Sequence, residues 1–480
     1  MKLSKLLKGI SCSEITQDCE VASIIHDSRK VKKGSLFVAI KGMKSDGHDY
    51  ILDAISKGAI AVMSNGRSLD NLPVPVVKVK NPRACMSQIS ANFYDHPSKD
   101  LNVIGVTGTN GKTSVTQLLY NLLNKNGLVT GTLGTLGFST PTGMSTTGFT
   151  TPESIELHQL LQMMKLGGVK NAVMEISSHA LELNRVDDVN INIAIFTNLS
   201  QDHLDFHGSM ENYFHAKLKL FSNLDESSIA IVNIDDKYGR RILKNINCQS
   251  VTYGVDENAD LLLMESKLTI DSTNLLMRWK NQNFSITSNL IGSHNVENLL
   301  ASIATALISG ISIHEIQSCM KYELIIPGRM EKIDLNEKGI AIIDYAHTPD
   351  AYEKTLFTIK NMAPKEFEII TVFGCGGDRD KEKRPIMGRI AEKYSDKLII
   401  TSDNPRFEEL EDIIVDIEKG LSCENYKIIK NRREAILNAL NDMTEKTILV
   451  ILGKGRDDYE LIGDEKIKHS DFDILNANLK

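Results

Sequence analysis

The stretch TGTNGKTS (107–114) places two glycines, a lysine and a threonine where an apolar run gives way to a helical pattern. Gly108 and Gly111 let the backbone N–H groups of the loop, with Thr109 and Asn110 inside it, approach phosphate oxygens, and a helix N-terminus adds its partial positive charge. In that pattern Lys112 meets the β- and γ-phosphates and the Thr113 hydroxyl ligates Mg²⁺. The first glycine of the longer P-loop pattern falls on Val106, so the match is to the shorter GxxGK[ST]. The bland alternative is a Gly-rich turn with no ligand. A second stretch, SQDHLDFHGSMENYFHAK (200–217), gathers three histidines, two aspartates, a glutamate and a terminal lysine in eighteen positions. Its composition suggests a metal site, but zinc needs compact His/Cys ligation. Lys217 is the odd member: a lysine at its usual pKa of about 10.4 is itself a cation and does not ligate one. Taken alone, it reads as a lysine on an amphipathic helix with its head in water.

The elements that must hold these residues follow one recurring pattern. A short β-rich apolar run ends abruptly in small, polar or charged residues at NVIGVTGTNGKT (102–113), AVMEISSH (172–179), IAIFTNLSQDH (193–203), IAIIDYAH (340–347), IITVFGCGGDRD (369–380), KLIITSDNPR (397–406) and ILVILGKGRDD (448–458). Helical periodicity lies between the runs: Val115, Leu118, Leu119, Leu122 and Leu123 are spaced for one face, with Gly127 placed to stop the helix, and Leu410, Ile413, Ile414 and Ile417 repeat the spacing. Such alternation predicts an α/β protein with mainly parallel sheets covered on both faces. In these sheets ligands sit beyond the carboxyl ends of the strands, where the motifs fall.

A chain of 480 residues predicts about three domains. The 81–100 stretch reads as a helix followed by a Pro-containing connection, and a second break lies near IIPGRMEKI (325–333). The expected divisions are 1–98, 99–327 and 328–480. A net charge of −7 does not indicate a nucleic-acid groove. Seven cysteines are scattered without a CxxC pair, which points to free thiols in a reducing compartment. The start lacks a signal-peptide pattern and no apolar run approaches 18 residues, so a cytoplasmic protein without membrane insertion is expected.

Joined to EISSHAL (175–181), TNLSQDHLDFHG (197–208), YFHAKLKLF (213–221), GSHNVEN (292–298), PGRME (327–331) and DYAHTPDA (344–351), the phosphate loop makes the chain resemble the Mur ligase family. It resembles most the members that add a third peptide residue to UDP-N-acetylmuramoyl-L-alanyl-D-glutamate. The resemblance covers nearly the whole length, in order. It implies an N-terminal α/β domain that binds the UDP-muramoyl substrate, a central P-loop ATPase-type parallel sheet and a C-terminal Rossmann-like domain that binds the added amino acid. It implies ATP as co-substrate, a peptidoglycan precursor as product and a monomer. ATP would phosphorylate the D-glutamyl side-chain carboxylate, and the incoming amine would attack the acyl phosphate.

The same resemblance implies residue roles. Thr113, Glu175, His203 and Lys217 would hold two Mg²⁺ ions, an oxygen-rich set that suits a hard cation. Lys217 would do so as a carbamate formed with CO₂ (N6-carboxylysine). Asp205, His207 and His215 read as structural or solvent-facing. Asn295, Arg329 and Asp344 match positions around the nucleotide, and His347 beside them reads equally as a capping or packing histidine. Ser28, in HDSRKVKKGSLFVAIKG (26–42), would lie near uracil. Thr150 and Thr151, Ser177 and Arg185 fall in the muramoyl-peptide motif, with Arg185 able to fork onto the D-glutamyl carboxylate. Thr150 and Thr151, before Pro152, read alternatively as a helix N-cap.

The last motifs bear on the added residue. SDNPR (402–406) alone reads as a helix start, with Asn404 capping and Pro405 in the first turn. The resemblance adds a diamino-acid site built from Arg379, Asp403, Asn404, Arg406, Gly453 and Asp457. Arg406 and Arg379 would grip a second carboxylate, which favours meso-diaminopimelate over L-lysine. The family's GKGHE reads GKGRD here, so Asp457 replaces a glutamate one methylene longer, and meso-lanthionine is an alternative. Two other readings compete: a folylpolyglutamate synthase-like ligase, and a P-loop ATPase that switches shape. The DSR…SLFVAIKG module and SDNPR argue against the first, and three motifs at strand ends of one terminal domain argue against the second.

Overall fold

The computed structural model describes all residues except 43, 44, 68–70, 146, 147, 323, 424 and 480. The chain divides into two compact units, Met1–Leu262 with Leu299–Ile316, and Leu263–Asn298 with Gln317–Lys480. Among the described residues no helix is long and apolar enough to cross a membrane. All seven cysteines are free thiols.

The first unit opens with a four-stranded sheet of Ser23–Ile25 (β1), Ser35–Val38 (β2), Ala59–Ser64 (β3) and Val76–Lys78 (β4), in that order and parallel throughout. The helix Pro82–Phe93 follows; Asn81 caps it by accepting from Arg83 N and Ala84 N, with Pro82 in its first turn. The larger sheet contains Asn102–Thr107 (β5), Thr130–Gly134 (β6), Gly137–Thr140 (β7), Gly143–Ser145 (β8), Asn171–Glu175 (β9), Ile193–Phe196 (β10), Ile229–Asn233 (β11) and Gln249–Gly254 (β12). Its order is β12-β11-β10-β5-β9-β6-β7-β8, and the start of Leu261–Leu268 (β13) pairs beyond β12. From β12 to β6 the pairing is parallel; β7 and β8 turn back antiparallel. Strand β5 lies between β9 and β10, so three adjacent carboxyl ends carry the loops that start at Gly108, Ile176 and Thr197. The helix Lys112–Lys125 buries the five aliphatic residues of the sequence pattern, and Gly127 stops it at φ +76°.

The second unit contains a hairpin of Thr273–Trp279 (β14) and Gln282–Ser288 (β15). Its main sheet is built from Glu331–Asp334 (β16), Ile340–Asp344 (β17), Glu368–Phe373 (β18), Lys397–Ile400 (β19), Tyr426–Ile428 (β20) and Thr447–Leu452 (β21), in the order β16-β17-β21-β18-β19-β20. All neighbours are parallel except β16 with β17. The strands are apolar on both faces because both are covered. Ile342, Ile448, Val450 and Ile400 pack with Tyr352, Leu356, Met387 and Ile413 on one side. Ile343, Leu449, Ile451 and Ile399 pack with Ala435, Ile436, Leu440 and Leu475 on the other. A final hairpin, Tyr459–Ile462 (β22) with Glu465–Lys468 (β23), follows the carboxyl end of β21.

Candidate active site

The phosphate loop is braced by the strand beside it. Gly108 has φ +155°, and a Cβ there would stand 1.8 Å from Thr197 Oγ1, so only glycine fits. Thr197 Oγ1 donates to the Asn110 carbonyl at 2.6 Å, and Asn110 N donates to Asn198 Oδ1 at 3.0 Å. Thr109 N donates to the Asn198 carbonyl at 2.9 Å. Thus TNLS (197–200) fixes the loop's shape. Lys112 Nζ donates to the carbonyls of Gly108 and Thr109 at 2.9 and 2.8 Å.

Thr113 Oγ1 donates to Glu175 Oε2 at 2.9 Å. The Glu175 carboxylate is buried at the end of β9 and also accepts from Thr135, through N at 2.8 Å and Oγ1 at 3.1 Å. This hydroxyl–carboxylate pair is an oxygen-only donor set of the kind Mg²⁺ takes. Among the described residues no group of three His, Cys, Asp or Glu side chains is placed to hold a metal by itself. A Mg²⁺ here fits the usual pattern, in which substrate phosphates and water complete the shell.

Lys217 overturns the solvent-facing reading. Its side chain is 1% exposed, and Nζ donates to the Gly108 carbonyl at 2.8 Å, the same oxygen that Lys112 uses. Burial, then the charge of Lys112, pushes its pKa well below the usual lysine value. His203, at φ +53°, is half exposed, with Nε2 3.4 Å from Asp202 Oδ2. Burial lowers its pKa, with Lys112 and Lys217 acting in the same direction. His207 is buried on Ser178 Oγ at 3.0 Å, stacked on Tyr213, while His215 pairs with Glu211 on the surface and Asp205 is exposed.

Four residues expected at the muramoyl peptide cluster beside Glu175. Thr150 and Thr151 do not cap a helix: the next one starts at Ser154 with Glu153 as N-cap and no side-chain cap bond. Thr150 Oγ1 instead lies 3.1 Å from Thr135 Oγ1. Thr151 Oγ1 donates to the Glu175 carbonyl at 2.8 Å and accepts from Ser177 N at 3.1 Å. Their oxygens are thus drawn to Thr135, just after β6, and to the end of β9 rather than to the helix. Ser177 caps Ser178–Glu182 by accepting from Ala180 N at 3.2 Å. Arg185 donates to the Thr151 carbonyl at 2.9 Å and pairs with Glu153 at 2.8 Å, while its Nε is buried without a partner. Arg83 grips the same Glu153 at 3.0 Å. Ser28 is buried at the start of a short 3₁₀ turn beyond β1, which Asp27 caps.

In the second unit Asn295 is buried and donates to the Ile291 carbonyl at 2.8 Å. Arg329 lies over the Tyr345 ring at 4.5 Å. Asp344, at the end of β17, accepts from Met330 N at 2.6 Å and Ala346 N at 2.8 Å, which ties PGRME to DYAH. His347 turns Nδ1 to the Tyr345 carbonyl at 2.9 Å.

The SDNPR stretch is not a helix start, since the next helix is Leu410–Glu418. Asn404 Oδ1 is occupied by Leu461 N at 2.8 Å and Lys454 Nζ at 3.1 Å. Arg406 has φ +54°; its N donates to the Leu461 carbonyl and its carbonyl accepts from Gly463 N, so β22 and its turn hold it there. Its Nη1 donates to the Gly377 carbonyl at 2.7 Å. Arg379 is close by: a Cβ on Gly376 would be 3.0 Å from Arg406 Nη1 and 3.8 Å from Arg379 Cγ. Burial, then Arg379, lowers the Arg406 pKa. Gly453 has φ +110° and faces Asp403. Asp457 is half-buried, and burial raises its pKa. Four strand ends of one sheet (β17, β18, β19 and β21) therefore carry Asp344, Arg379, Asp403 to Arg406, and Gly453 to Asp457.

Three family models match in order: Mur ligase family, catalytic domain, at 20–94; Mur ligase middle domain at 106–306; and Mur ligase, glutamate ligase domain, at 328–455. The chain belongs to the Mur ligase family. Among Mur ligases, it is 41% identical to UDP-N-acetylmuramoyl-L-alanyl-D-glutamate–2,6-diaminopimelate ligase 1 of Clostridium acetobutylicum, over 100% of this chain and 99% of that one. It is 42% identical to the ligase of the same type from Clostridioides difficile, again over 100% and 99%. A solved structure of a UDP-N-acetylmuramoyl-L-alanyl-D-glutamate–2,6-diaminopimelate ligase superposes with TM-score 0.68 at 29% identity, covering 96% of this chain and 94% of that one. Folylpolyglutamate synthase from Mycobacterium tuberculosis shares the Mur ligase fold at TM-score 0.64 and 16% identity, over 77% of this chain and 92% of that one. The α/β class and the parallel P-loop sheet are those of a Mur ligase.

Several residues that shape this Mur ligase site lie outside the motifs or carry no motif signal. Thr135 links Thr150 to Glu175, and only the GTLGT repeat of small residues hinted at it. Arg432, fully buried, forks onto Asp471 and donates to the Ser402 and Leu452 carbonyls, directly beneath SDNPR and GKGRD. Arg456 grips Glu331 of PGRME through Nε at 2.7 Å and through Nη2. None of these pairs is near in sequence.

Proposed function

We propose that this Mur ligase adds meso-diaminopimelate to UDP-N-acetylmuramoyl-L-alanyl-D-glutamate in the cytoplasm, using ATP, as a step of peptidoglycan precursor synthesis. Full-length identity of about 40% to ligases so named supports the reaction. The observation that carries the choice of added residue is the Arg379–Arg406 pair around Gly376. The charge of Arg379 reaches Arg406 and, after burial, lowers its pKa, and a carboxylate beside the two side chains would offset that repulsion. L-Lysine has no such carboxylate. Asp457, one methylene shorter than the glutamate of the family pattern, favours meso-lanthionine as the second reading.

The chemistry that the resemblance to Mur ligases implies assigns a role to each of the chain's own groups. Residues 108–113 receive the ATP phosphates, and Lys112 balances charge on the transferring phosphoryl group. The γ-phosphoryl passes to the D-glutamyl carboxylate, giving an acyl phosphate and ADP; the neutral amine of the added residue attacks the acyl carbon, phosphate leaves and the nitrogen gives up a proton. Thr150, Thr151, Ser177 and Arg185 orient the muramoyl peptide, with Arg185 moving from Glu153 to the substrate carboxylate, and Ser28 lies at the uracil end. Asn295, Arg329 and Asp344 belong to the nucleotide side. Thr113, Glu175, His203 and Lys217 would hold two Mg²⁺, which neutralise and orient the phosphates when bound. A buried ammonium with one carbonyl partner and the Tyr213 ring at 4.7 Å, and among the described residues no carboxylate bonded to it, is poorly compensated. The neutral Lys217 amine adds CO₂, loses a proton and becomes an anionic carbamate. We further assign 1–98 to the UDP-muramoyl substrate, 99–327 to ATP and 328–480 to the added amino acid, in a monomer. The test is phosphate release from ATP: it should need both the UDP-muramoyl dipeptide and a diamino diacid. Release with neither would favour a nucleotide switch.

A further inference from the structure

Lys454 lies in GKGRD between two expected binding positions, yet its side chain is 0% exposed. Its ammonium has three acceptors around it: Asn404 Oδ1 at 3.1 Å, the Tyr459 carbonyl at 2.8 Å and Asp403 Oδ1 at 3.5 Å. Two of the three belong to the amino-acid site. A fully buried ammonium is a poor choice for stability alone, because an apolar side chain of similar volume is often neutral or better. The Asn404 amide explains its presence. Leu461 N and Lys454 Nζ both donate to one atom of that amide, which must therefore be the oxygen. The other end, Nδ2, donates one proton to Asp403 Oδ1 at 3.3 Å and keeps a second. Without Lys454 the amide would keep the Leu461 N–H on Oδ1 and the long bond from Nδ2 to Asp403, and would lose its one charged donor.

We infer that Lys454 is a positioning residue: it turns the Asn404 amide so that Nδ2 is the atom offered to the added amino acid, and it places a positive charge behind Asp403 and Asn404. That charge adds to Arg379 and Arg406 in favouring a distal carboxylate over the bare cationic tail of lysine. The inference rests on the ligase reading above.

Steady-state kinetics of the full chain test it. Lys454→Met should raise KM for meso-diaminopimelate about 10-fold, the loss expected for a charge-assisted hydrogen bond. KM for ATP and for the UDP-muramoyl dipeptide should stay within about 2-fold, and the preference for the diacid over L-lysine should fall. Lys454→Gln, which keeps a donor but no charge, should recover part of the KM and little of the preference. In an Asn404→Ala background Lys454→Met should add less than about 3-fold, because the amide it orients is gone. Equal KM changes for all three substrates, or full additivity with Asn404→Ala, would overturn the inference. So would failure of both Lys454 variants to reach the wild-type circular dichroism spectrum, which would assign the residue to the scaffold. Failure of the ligase reading looks different: the unmodified chain would then release phosphate without needing a diamino acid.

Discussion

Arg432→Met should cost the second unit ~3–5 kcal/mol of stability, the usual result of removing one partner of a buried ion pair. Both side chains of the pair with Asp471 are fully buried. The fork is bidentate, Nε to Oδ1 at 2.9 Å and Nη2 to Oδ2 at 2.7 Å, and two further bonds reach the Ser402 and Leu452 carbonyls at 3.2 and 2.9 Å. Removing the guanidinium leaves the Asp471 carboxylate in the interior with His469 Nε2, at 2.8 Å, as its remaining side-chain hydrogen-bond partner. Burial alone would raise the Asp471 pKa, but the charge and fork of Arg432 outweigh it and the net shift is downward. A depressed carboxyl contributes stability above its unfolded pKa of about 3.9 and loses it as pH falls through the folded value, so the pair is fully effective at pH 7. For a unit of this size the loss corresponds to a Tm drop of roughly 6–20 °C. Thermal unfolding at pH 7 reads it directly. Asp471→Leu combined with Arg432→Met should recover more than half the loss, since no charge is then left unpaired. A drop of less than about 3 °C, or a double variant as poor as the sum of the singles, would show that the buried pair does not carry this stability.

Lys217→Ala should reduce ligation at least ~10²-fold while ATP binding changes little, with partial rescue by added short-chain carboxylic acids; turnover near wild type would sink the carbamate assignment. His158 is fully buried, with both ring nitrogens lacking hydrogen-bond partners, and burial pushes its pKa down to about 4. Because the unfolded state binds its proton first, stability should fall as pH drops from about 6.5 to 4; His158→Met should flatten that slope, as read by Tm against pH. Arg406→Ala should weaken use of the diacid and relax selection against L-lysine in a competition assay. Unchanged selectivity there would remove Arg406 from the specificity site.

Strand ends were legible because each is a buried apolar run that stops at a polar motif, and a parallel sheet puts those stops on one edge. Local patterns also located the helices Lys112–Lys125 and Leu410–Glu418. Cap-like residues misled where tertiary bonds competed better for the same oxygens. Thr151 turns to the Glu175 carbonyl and Asn404 to Lys454 and Leu461, so neither caps a helix. Lys217 looked like a surface lysine because helical spacing does not reveal that Gly108 lies 109 positions away along the chain and accepts its ammonium. The grip of Arg432 on Asp471, and of Arg456 on Glu331, left no local trace for the same reason.

Product identity decides which amino acid this Mur ligase adds. The unmodified chain is supplied with ATP, Mg²⁺, bicarbonate, UDP-N-acetylmuramoyl-L-alanyl-D-glutamate and an equimolar mixture of meso-diaminopimelate, meso-lanthionine and L-lysine, and the nucleotide products are identified by mass spectrometry. The expected product is tripeptide carrying a diacid, chiefly meso-diaminopimelate, with lysine adduct nearly absent. A product mixture in which L-lysine is incorporated as readily as either diacid would contradict it.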